Sequence, residues 1–226
     1  AIVDKEIVFV AVPTPHSKGY GGQMPIADLE PEDFDYTSVK QVINHCNQIM
    51  HDKQILVLIS TVLPGTVRKH FKPICTNTNL IYNPYLIAMG TVQADVLAPE
   101  MIMIGTESGR ANGNVDKLKD VYYTVSGYQP RTEIGTWEEV EAMKIFYNTF
   151  ISAKIGLVNM IQDFAEKIGH MNVDVVTSAL ANSTMRIMGP KYMTASMGDA
   201  GVELPPNWRS AIDSERKEYY FNELTG

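Results

Sequence analysis

The stretch EIVFVAVPTP at residues 6–15 begins with a continuous apolar run that is rich in β-branched residues and is stopped by two prolines. Apolar residues at successive positions, rather than at alternate ones, are typical of a strand that is buried on both faces. Such strands belong to parallel sheets that are covered by helices. This stretch therefore predicts an α/β fold.

Further strands and helices alternate along the first 130 residues. The strands have the same apolar character, and the helices carry apolar residues at helical spacing or proline in the first turn. The predicted strands lie at 54–60, 79–84 and 100–105, and the predicted helices at 37–50, 63–71 and 114–125. This alternation predicts right-handed crossovers and a mostly parallel, Rossmann-like sheet.

A much longer helix is predicted after this sheet. Thr136 and Glu139 form a capping box, and neither proline nor glycine interrupts the sequence before Gly156. Apolar positions continue to Ile161, which gives a helix of roughly thirty residues, whereas the mean helix has about 11–12. Because a long helix beside an α/β domain usually packs on another subunit, we predict a homodimer through residues 136–168. A short helix is predicted at 173–181.

The composition argues against several functions. The 226 residues carry a net charge of −7 with a pI of about 5.2, and nucleic-acid and membrane-surface binding both need a basic surface. The longest apolar runs are far too short to span a bilayer. Cys46 and Cys75 lack metal-ligand or CxxC spacing. We therefore expect two buried thiols, no metal site, and a cytoplasmic location.

Six motifs occur in order along the chain: VFVAVPTP, STVLPGT, YNPYLIAMGTVQAD, PEMIMIG, EAMKIFYNTFISAKIGLVN and RIMGPKYMTASMG. In this order they resemble the UDP-glucose and GDP-mannose dehydrogenases over residues 1 to about 201. The resemblance implies NAD as the cofactor and a nucleotide sugar as the substrate, whose C6 hydroxyl is oxidised to a carboxylate through a thiol adduct. It also implies a Rossmann half, a central helix that forms the dimer core, and a second Rossmann-like half.

The resemblance assigns catalytic and cofactor-binding roles. Lys144 and Asn148, four residues apart on one helix face, would stabilise the alkoxide that forms as a hydride leaves the alcohol. By spacing alone, without the surrounding motifs, the pair is more typical of a solvated lysine and an asparagine bonded to its own helix. Thr61 would position a water. The cofactor would lie along Thr14, Pro15, Ser60 and Thr61, although Ser60 and Thr61 also suit a helix cap.

The nucleotide sugar would contact residues of three segments, which are Asn83, Pro84, Tyr85 and Leu86, then Lys144 and Asn148, and finally Arg186, Lys191 and Tyr192. The planar guanidinium of Arg186 suits a diphosphate, and the alternative is an ordinary surface arginine. The family usually has glutamate at the positions of Tyr85 and Met89. This departure calls into question the thioester hydrolysis or the choice of sugar.

The sequence after Gly201 departs further from the family, which has its nucleophilic cysteine there. Residues 202–226 contain no cysteine, so we expect this chain to be inactive. LPPNW at 204–208 and YYFNELTG at 219–226 have the spacing of two strands of a WW domain, in which Trp208 and Tyr219 would bind a proline-rich peptide. The alternative is a proline- and tyrosine-rich tail that resembles such a domain by chance.

These observations predict three segments. They are the remainder of an NAD-binding domain at 1–133, a helical dimerisation domain at 134–201 and a partial WW-like hairpin at 202–226. Because the glycine-rich dinucleotide fingerprint is missing, we expect the chain to be part of a longer protein. The alternative function is a non-catalytic dimeric scaffold for proline-rich partners. A 6-phosphogluconate-type enzyme shares the layout, but STVLPGT and RIMGPKYM argue against it.

Overall fold

A computed structural model describes residues 2–21, 29–88, 90–185 and 187, together with the backbone of 208–212 and 218–222. The chain divides into two compact units, Ala1–Ala153 and Lys154–Gly226. The boundary between the units falls within the long helix. Among the described residues, no helix has both the length and the apolar character that crossing a membrane requires.

The first unit is built, within the described residues, on a five-stranded sheet with the order β1-β2-β3-β4-β5. The strands are β1 Ile7–Val10, β2 Ile55–Leu58, β3 Asn79–Tyr82, β4 Ile102–Thr106 and β5 Thr132–Thr136. Strands β1 to β3 are parallel, as are β4 and β5. The predicted α/β fold with a mostly parallel sheet is therefore confirmed.

One strand pair departs from the predicted parallel order. Strand β3 pairs with β4 in the antiparallel direction, with Tyr82 opposite Gly105. The connection between them contains the six-residue helix α2, Val92–Leu97, which was not predicted. Because this connection returns to the sheet near the carboxyl end of β3, strand β4 enters in the opposite direction. The carboxyl end of β3 thus adjoins Gly105, near the carboxyl end of β4.

Helices cover both faces of the sheet. They are α1 Thr37–Ile49 and α3 Gly113–Ser126. Ile55 and Val57 of β2 pack with α3, whereas Leu56 and Leu58 pack with α1, and all four side chains are 0% exposed. Burial on both faces removes the need for polar residues at alternate positions. This is why β2 has a continuous apolar sequence.

The helix predicted at 63–71 is shorter than expected. The structure has a single π-helical turn at Val67–Phe71, followed by a 3₁₀ turn at Lys72–Ile74. Gly65 has a φ of +90°, in the left-handed region that right-handed helices exclude. The helical conformation therefore begins only after this glycine.

The long helix is α4, Trp137–Ile168, with 32 residues, and the short helix is α5, Val173–Ala181. The backbone N–H of Thr136 donates to Oε2 of Glu139 at 2.7 Å, and the N–H of Glu139 donates to Oγ1 of Thr136 at 3.3 Å. These two bonds form the predicted capping box. In the second unit, β6 Trp208–Ile212 and β7 Glu218–Asn222 pair in the antiparallel direction.

Candidate active site

Two hydroxyl groups link the carboxyl ends of β1 and β2. Ser60 donates from Oγ to the carbonyl of Val12 at 2.6 Å and accepts from the N–H of Val12 at 3.0 Å. Thr14 donates from Oγ1 to the carbonyl of Thr61 at 2.7 Å. The hydroxyl of Ser60 is thus occupied by the neighbouring segment, and the expectation that it caps the next helix is wrong. These bonds fix the position of Thr61 relative to β1.

This edge of the sheet fits part of NAD, the cofactor that the resemblance implies. Residues 11–15 and 59–63 contain no charged side chain, and Pro13 and Pro15 are exposed. A Cβ placed on Gly65 would meet no atom within 4 Å, so the space beside it is open. In doubly wound sheets, a dinucleotide binds at the carboxyl ends of parallel strands. Thr14, Pro15, Ser60 and Thr61 would hold the cofactor here.

The loop after β3 is fixed by buried hydrogen bonds. Asn83 is 1% exposed, and its Nδ2 donates to the carbonyl of Met103 at 2.7 Å. Its Oδ1 accepts from the hydroxyl of Tyr122, and the Tyr85 ring packs edge-on against Tyr122 with the centroids 6.0 Å apart. Pro84 is also buried. Asn83 and Pro84 therefore support the loop, and its backbone at Tyr85 is held in place.

Lys144 of α4 contacts this loop from a buried position. The side chain is 8% exposed, and Nζ donates to the carbonyl of Tyr85 at 2.7 Å. Burial lowers the pKa of Lys144, because the charged ammonium loses hydration. The amine is therefore held at a fixed point by the backbone of the loop.

A cleft of about 290 Å³ adjoins Lys144. It is lined by Leu86, Ile87, Ala88, Asp95, Ala98, Glu100, Lys144, Tyr147, Asn148 and Ile151. The cleft thus brings together Lys144, Asn148 and Leu86, which the sequence assigned to the substrate site. Asn148 is exposed, one helical turn after Lys144. This arrangement places an ammonium and an amide at one small cavity.

Two further polar residues at the cleft received no role from the sequence. The hydroxyl of Tyr147 donates to Oε2 of Glu100 at 2.6 Å, and this hydrogen bond raises the pKa of Tyr147. Both residues lie within motifs that carried the family resemblance. The spacing of Lys144 and Tyr147 on α4 was the available signal, since residues three apart share a helix face.

Glu141 also received no role from the sequence, yet its side chain is 0% exposed. Its Oε2 accepts from the N–H of Gly65 at 2.6 Å, and its Oε1 accepts from the N–H of Val67 at 2.7 Å. Burial raises the pKa of Glu141, although both hydrogen bonds act in the opposite direction. Nearby Glu138 forms an exposed ion pair with Arg68 at 2.5 Å. Glu141 thus connects α4 to the turn that follows Thr61.

The remaining candidate residues lie outside the described part of the chain. Arg186, Lys191 and Tyr192 are among the residues whose structure is not described. Trp208 and Tyr219 are described only as backbone positions in β6 and β7. Their predicted contacts with a nucleotide sugar or a peptide therefore stay predictions.

Comparison with protein families identifies the family to which the chain belongs. Residues 1–126 match the NAD binding domain of the UDP-glucose/GDP-mannose dehydrogenase family, and residues 138–225 match the central domain of the same family. The chain belongs to this family. The resemblance inferred from the six motifs is confirmed, and so is NAD as the cofactor of the domain at 1–126.

Individual relatives agree with this assignment. The chain is 25% identical over 187 residues to a UDP-glucose 6-dehydrogenase of Campylobacter jejuni, covering 79% of this chain and 44% of the relative. It is 28% identical over 204 residues to UDP-glucose 6-dehydrogenase 5 of Oryza sativa, covering 88% and 41%. The chain therefore spans less than half the length of these relatives.

A solved structure agrees with the fold. The GDP-mannose dehydrogenase of Pseudomonas aeruginosa superposes with a TM-score of 0.69 at 21% identity, covering 85% of this chain and 43% of that one. At this level of identity, the superposition supports the α/β architecture and carries no assignment of substrate.

The match to the central domain also covers residues 202–225. The match extends to residue 225, so the segment that suggested a WW domain is included in the dehydrogenase family. The WW interpretation is therefore left without support. Its signal was a short pattern of prolines, tryptophan and paired tyrosines, and any hairpin with aromatic strands can contain such a pattern.

Proposed function

We propose that this chain provides the cofactor edge and the central helix of an NAD-dependent nucleotide-sugar 6-dehydrogenase. The reaction is oxidation of the C6 hydroxyl of a nucleotide sugar of the UDP-glucose type to the uronic acid. The observation that carries this proposal is the buried ammonium of Lys144, which binds the carbonyl of Tyr85 at 2.7 Å beside the cleft that contains Asn148. Membership of the family supports the assignment of this cleft to the substrate.

The chemistry requires stabilisation of an oxyanion. When the C6 hydroxyl loses its proton and a hydride leaves the carbon, negative charge develops on the oxygen. Lys144 would face this oxygen with a positive charge, and Asn148 would donate a hydrogen bond from its amide. NAD, when bound, accepts the hydride. Because Lys144 is already fixed by the backbone, little reorganisation is needed as the charge develops.

The cofactor edge would serve the same reaction. Thr14 and Ser60 bind the neighbouring backbone and so fix the edge, which leaves Thr61 to position a water. A water held here would serve as the proton acceptor for the C6 hydroxyl. The assignment of Thr61 rests on its place at the end of β2, next to the edge that fits NAD.

The second oxidation needs a thiol that this chain does not offer. Residues 202–226 contain no cysteine, and burial raises the pKa of Cys75 to about 11 and also raises that of Cys46. A thiol with a raised pKa is a poor nucleophile, because the thiolate is the reactive form. We therefore expect this chain on its own to produce no uronic acid. The unpaired thiols are consistent with the predicted cytoplasmic location.

We also propose that the chain forms a homodimer through α4. In the second unit this helix exposes large apolar side chains, including Ile155 at 56%, Leu157 at 59% and Phe164 at 57%. Exposed apolar surface of this extent is costly in water and is typical of an interface. Sedimentation of the chain at several concentrations tests this proposal.

The test of the proposed function is ligand binding by the chain itself. Calorimetric titration with NAD and with UDP-glucose should detect both, and Lys144→Met should weaken UDP-glucose binding by roughly tenfold, as expected for loss of a charge-assisted hydrogen bond. Lys167→Met, an exposed lysine of the same helix, is the matched control and should bind normally. Absence of binding by the unsubstituted chain at millimolar NAD would refute the proposal.

A further inference from the structure

Helix α4 contacts two loops of the sheet through two buried charged side chains. Glu141 accepts from the N–H groups of Gly65 and Val67 in the loop after β2. Lys144 donates to the carbonyl of Tyr85 in the loop after β3. The two residues are three apart, so they lie on one face of the helix, about 4.5 Å apart along its axis. One helix face therefore fixes the loops at the carboxyl ends of two adjacent parallel strands.

The turn at 63–67 is bound from two sides. On one side, each oxygen of the Glu141 carboxylate binds a different N–H, at 2.6 Å and 2.7 Å. On the other side, the hydroxyl of Tyr36 accepts from the N–H of Leu63 and from Oγ1 of Thr66, both at 3.2 Å. This turn begins two residues after Thr61. Its position therefore constrains the chain that leads from Thr61, whose carbonyl accepts from Thr14.

Stability alone does not account for a carboxylate at this position. Burying a charge is costly, and an apolar residue of similar volume is often neutral or more stable. What a carboxylate offers is two acceptors that can bind two N–H groups at once. The glycine at 65 allows the turn to direct both N–H groups towards one side chain, since its φ of +90° is unfavourable for other residues.

We propose that Glu141 is a positioning residue of the dehydrogenase site. By binding Gly65 and Val67, it fixes Thr61 and the cofactor edge relative to Lys144. The inference rests on the proposed function, because that function makes Thr61 and Lys144 the groups that act on the substrate.

The test compares two neighbouring glutamates of α4. Glu141→Gln keeps the shape but replaces one acceptor by an NH₂ group, which faces an N–H donor. Glu138→Gln is the matched control, because it removes the same charge and also breaks a contact to the loop after β2, but at an exposed site. NAD affinity is measured well below the unfolding temperature, together with amide hydrogen exchange at Gly65 and Val67.

The expected result is that Glu141→Gln weakens NAD binding at least tenfold and speeds exchange at both amides, while Glu138→Gln changes neither by more than twofold. A purely structural role predicts a lower unfolding temperature with unchanged NAD affinity, and that result overturns the inference. If Glu141→Gln does not fold, Glu141→Asp is used to test the inference. It keeps both carboxylate oxygens on a side chain that is shorter by one methylene. Weakened NAD binding by the folded aspartate variant supports the inference, and unchanged binding overturns it.

Failure of the proposed function would be visible separately. If the unsubstituted chain binds no NAD, the proposed function fails, and the positioning role of Glu141 is tested by NMR signals alone. Glu141→Gln, or Glu141→Asp if the glutamine variant does not fold, should then shift the Thr61 amide and the Lys144 Nζ signals together, whereas Glu138→Gln should leave both in place. If both signals stay unchanged in the Glu141 variant, Glu141 does not position these groups.

Discussion

The two units of the chain differ in how far their large apolar side chains are exposed to solvent. In the first unit, all four residues of β2 are 0% exposed, because helices cover both faces of the sheet. In the second unit, Leu157, Met160 and Phe164 are between 57% and 60% exposed. An apolar residue stabilises a fold only when something covers it. The first unit has a core of its own, whereas the apolar residues of the second need a further surface.

The largest expected effect is on the free energy of unfolding, when the same leucine-to-alanine substitution is made in each unit. Leu56→Ala should lower the free energy of unfolding by about 2–5 kcal/mol, because it opens a cavity in a closed core. Leu157→Ala, at a side chain that is 59% exposed, should change the stability of the monomer by about 0.5 kcal/mol or less. Urea unfolding at a concentration at which the chain is monomeric measures both. Equal losses would show that Leu157 is covered within the chain.

A smaller effect is expected on association than on folding. Phe164→Asp should weaken the proposed dimer by about tenfold to a hundredfold, or about 1.4–2.8 kcal/mol, because it places a charge in the apolar interface. Val121→Asp on α3, which changes an exposed apolar residue of the first unit, is the control and should leave association unchanged. Equilibrium sedimentation gives both dissociation constants. A dimer that tolerates Phe164→Asp would place the interface elsewhere.

Much of the fold could be predicted because its signals are local. The apolar run of β2 is explained by burial on its own two faces, and the capping box needs two residues three apart. The direction of β4 could not be predicted, since a strand's own sequence does not record its direction. The helix predicted from residue 63 begins only at Val67, and this was missed because it depends on the positive φ of Gly65.

Some residues of the candidate site were predicted from the sequence and others were not, because some of the contacts there are not local. Lys144 and Asn148 were predicted because the family resemblance assigned them, and both residues line one cleft. Glu141 was missed because an acidic residue near the start of a helix usually faces solvent and interacts favourably with the helix dipole. Its partners are backbone N–H groups 74 and 76 residues earlier in the chain. No side-chain pattern in the sequence marks such a contact.

The smallest predicted effect is the loss of stability when an asparagine that caps a helix is replaced, once in each unit. Asn112 accepts from the N–H groups of Asn114 and Val115 at the start of α3, and Asn172 accepts from the N–H of Asp174 at the start of α5. Asn112→Ala should cost about 1 kcal/mol, because a cap normally contributes that much. Asn172→Ala should cost less, since it loses one bond rather than two. If urea unfolding of the monomer reports the Asn112 loss but none for Asn172, the second unit is not part of the cooperative fold, and its helices depend on association.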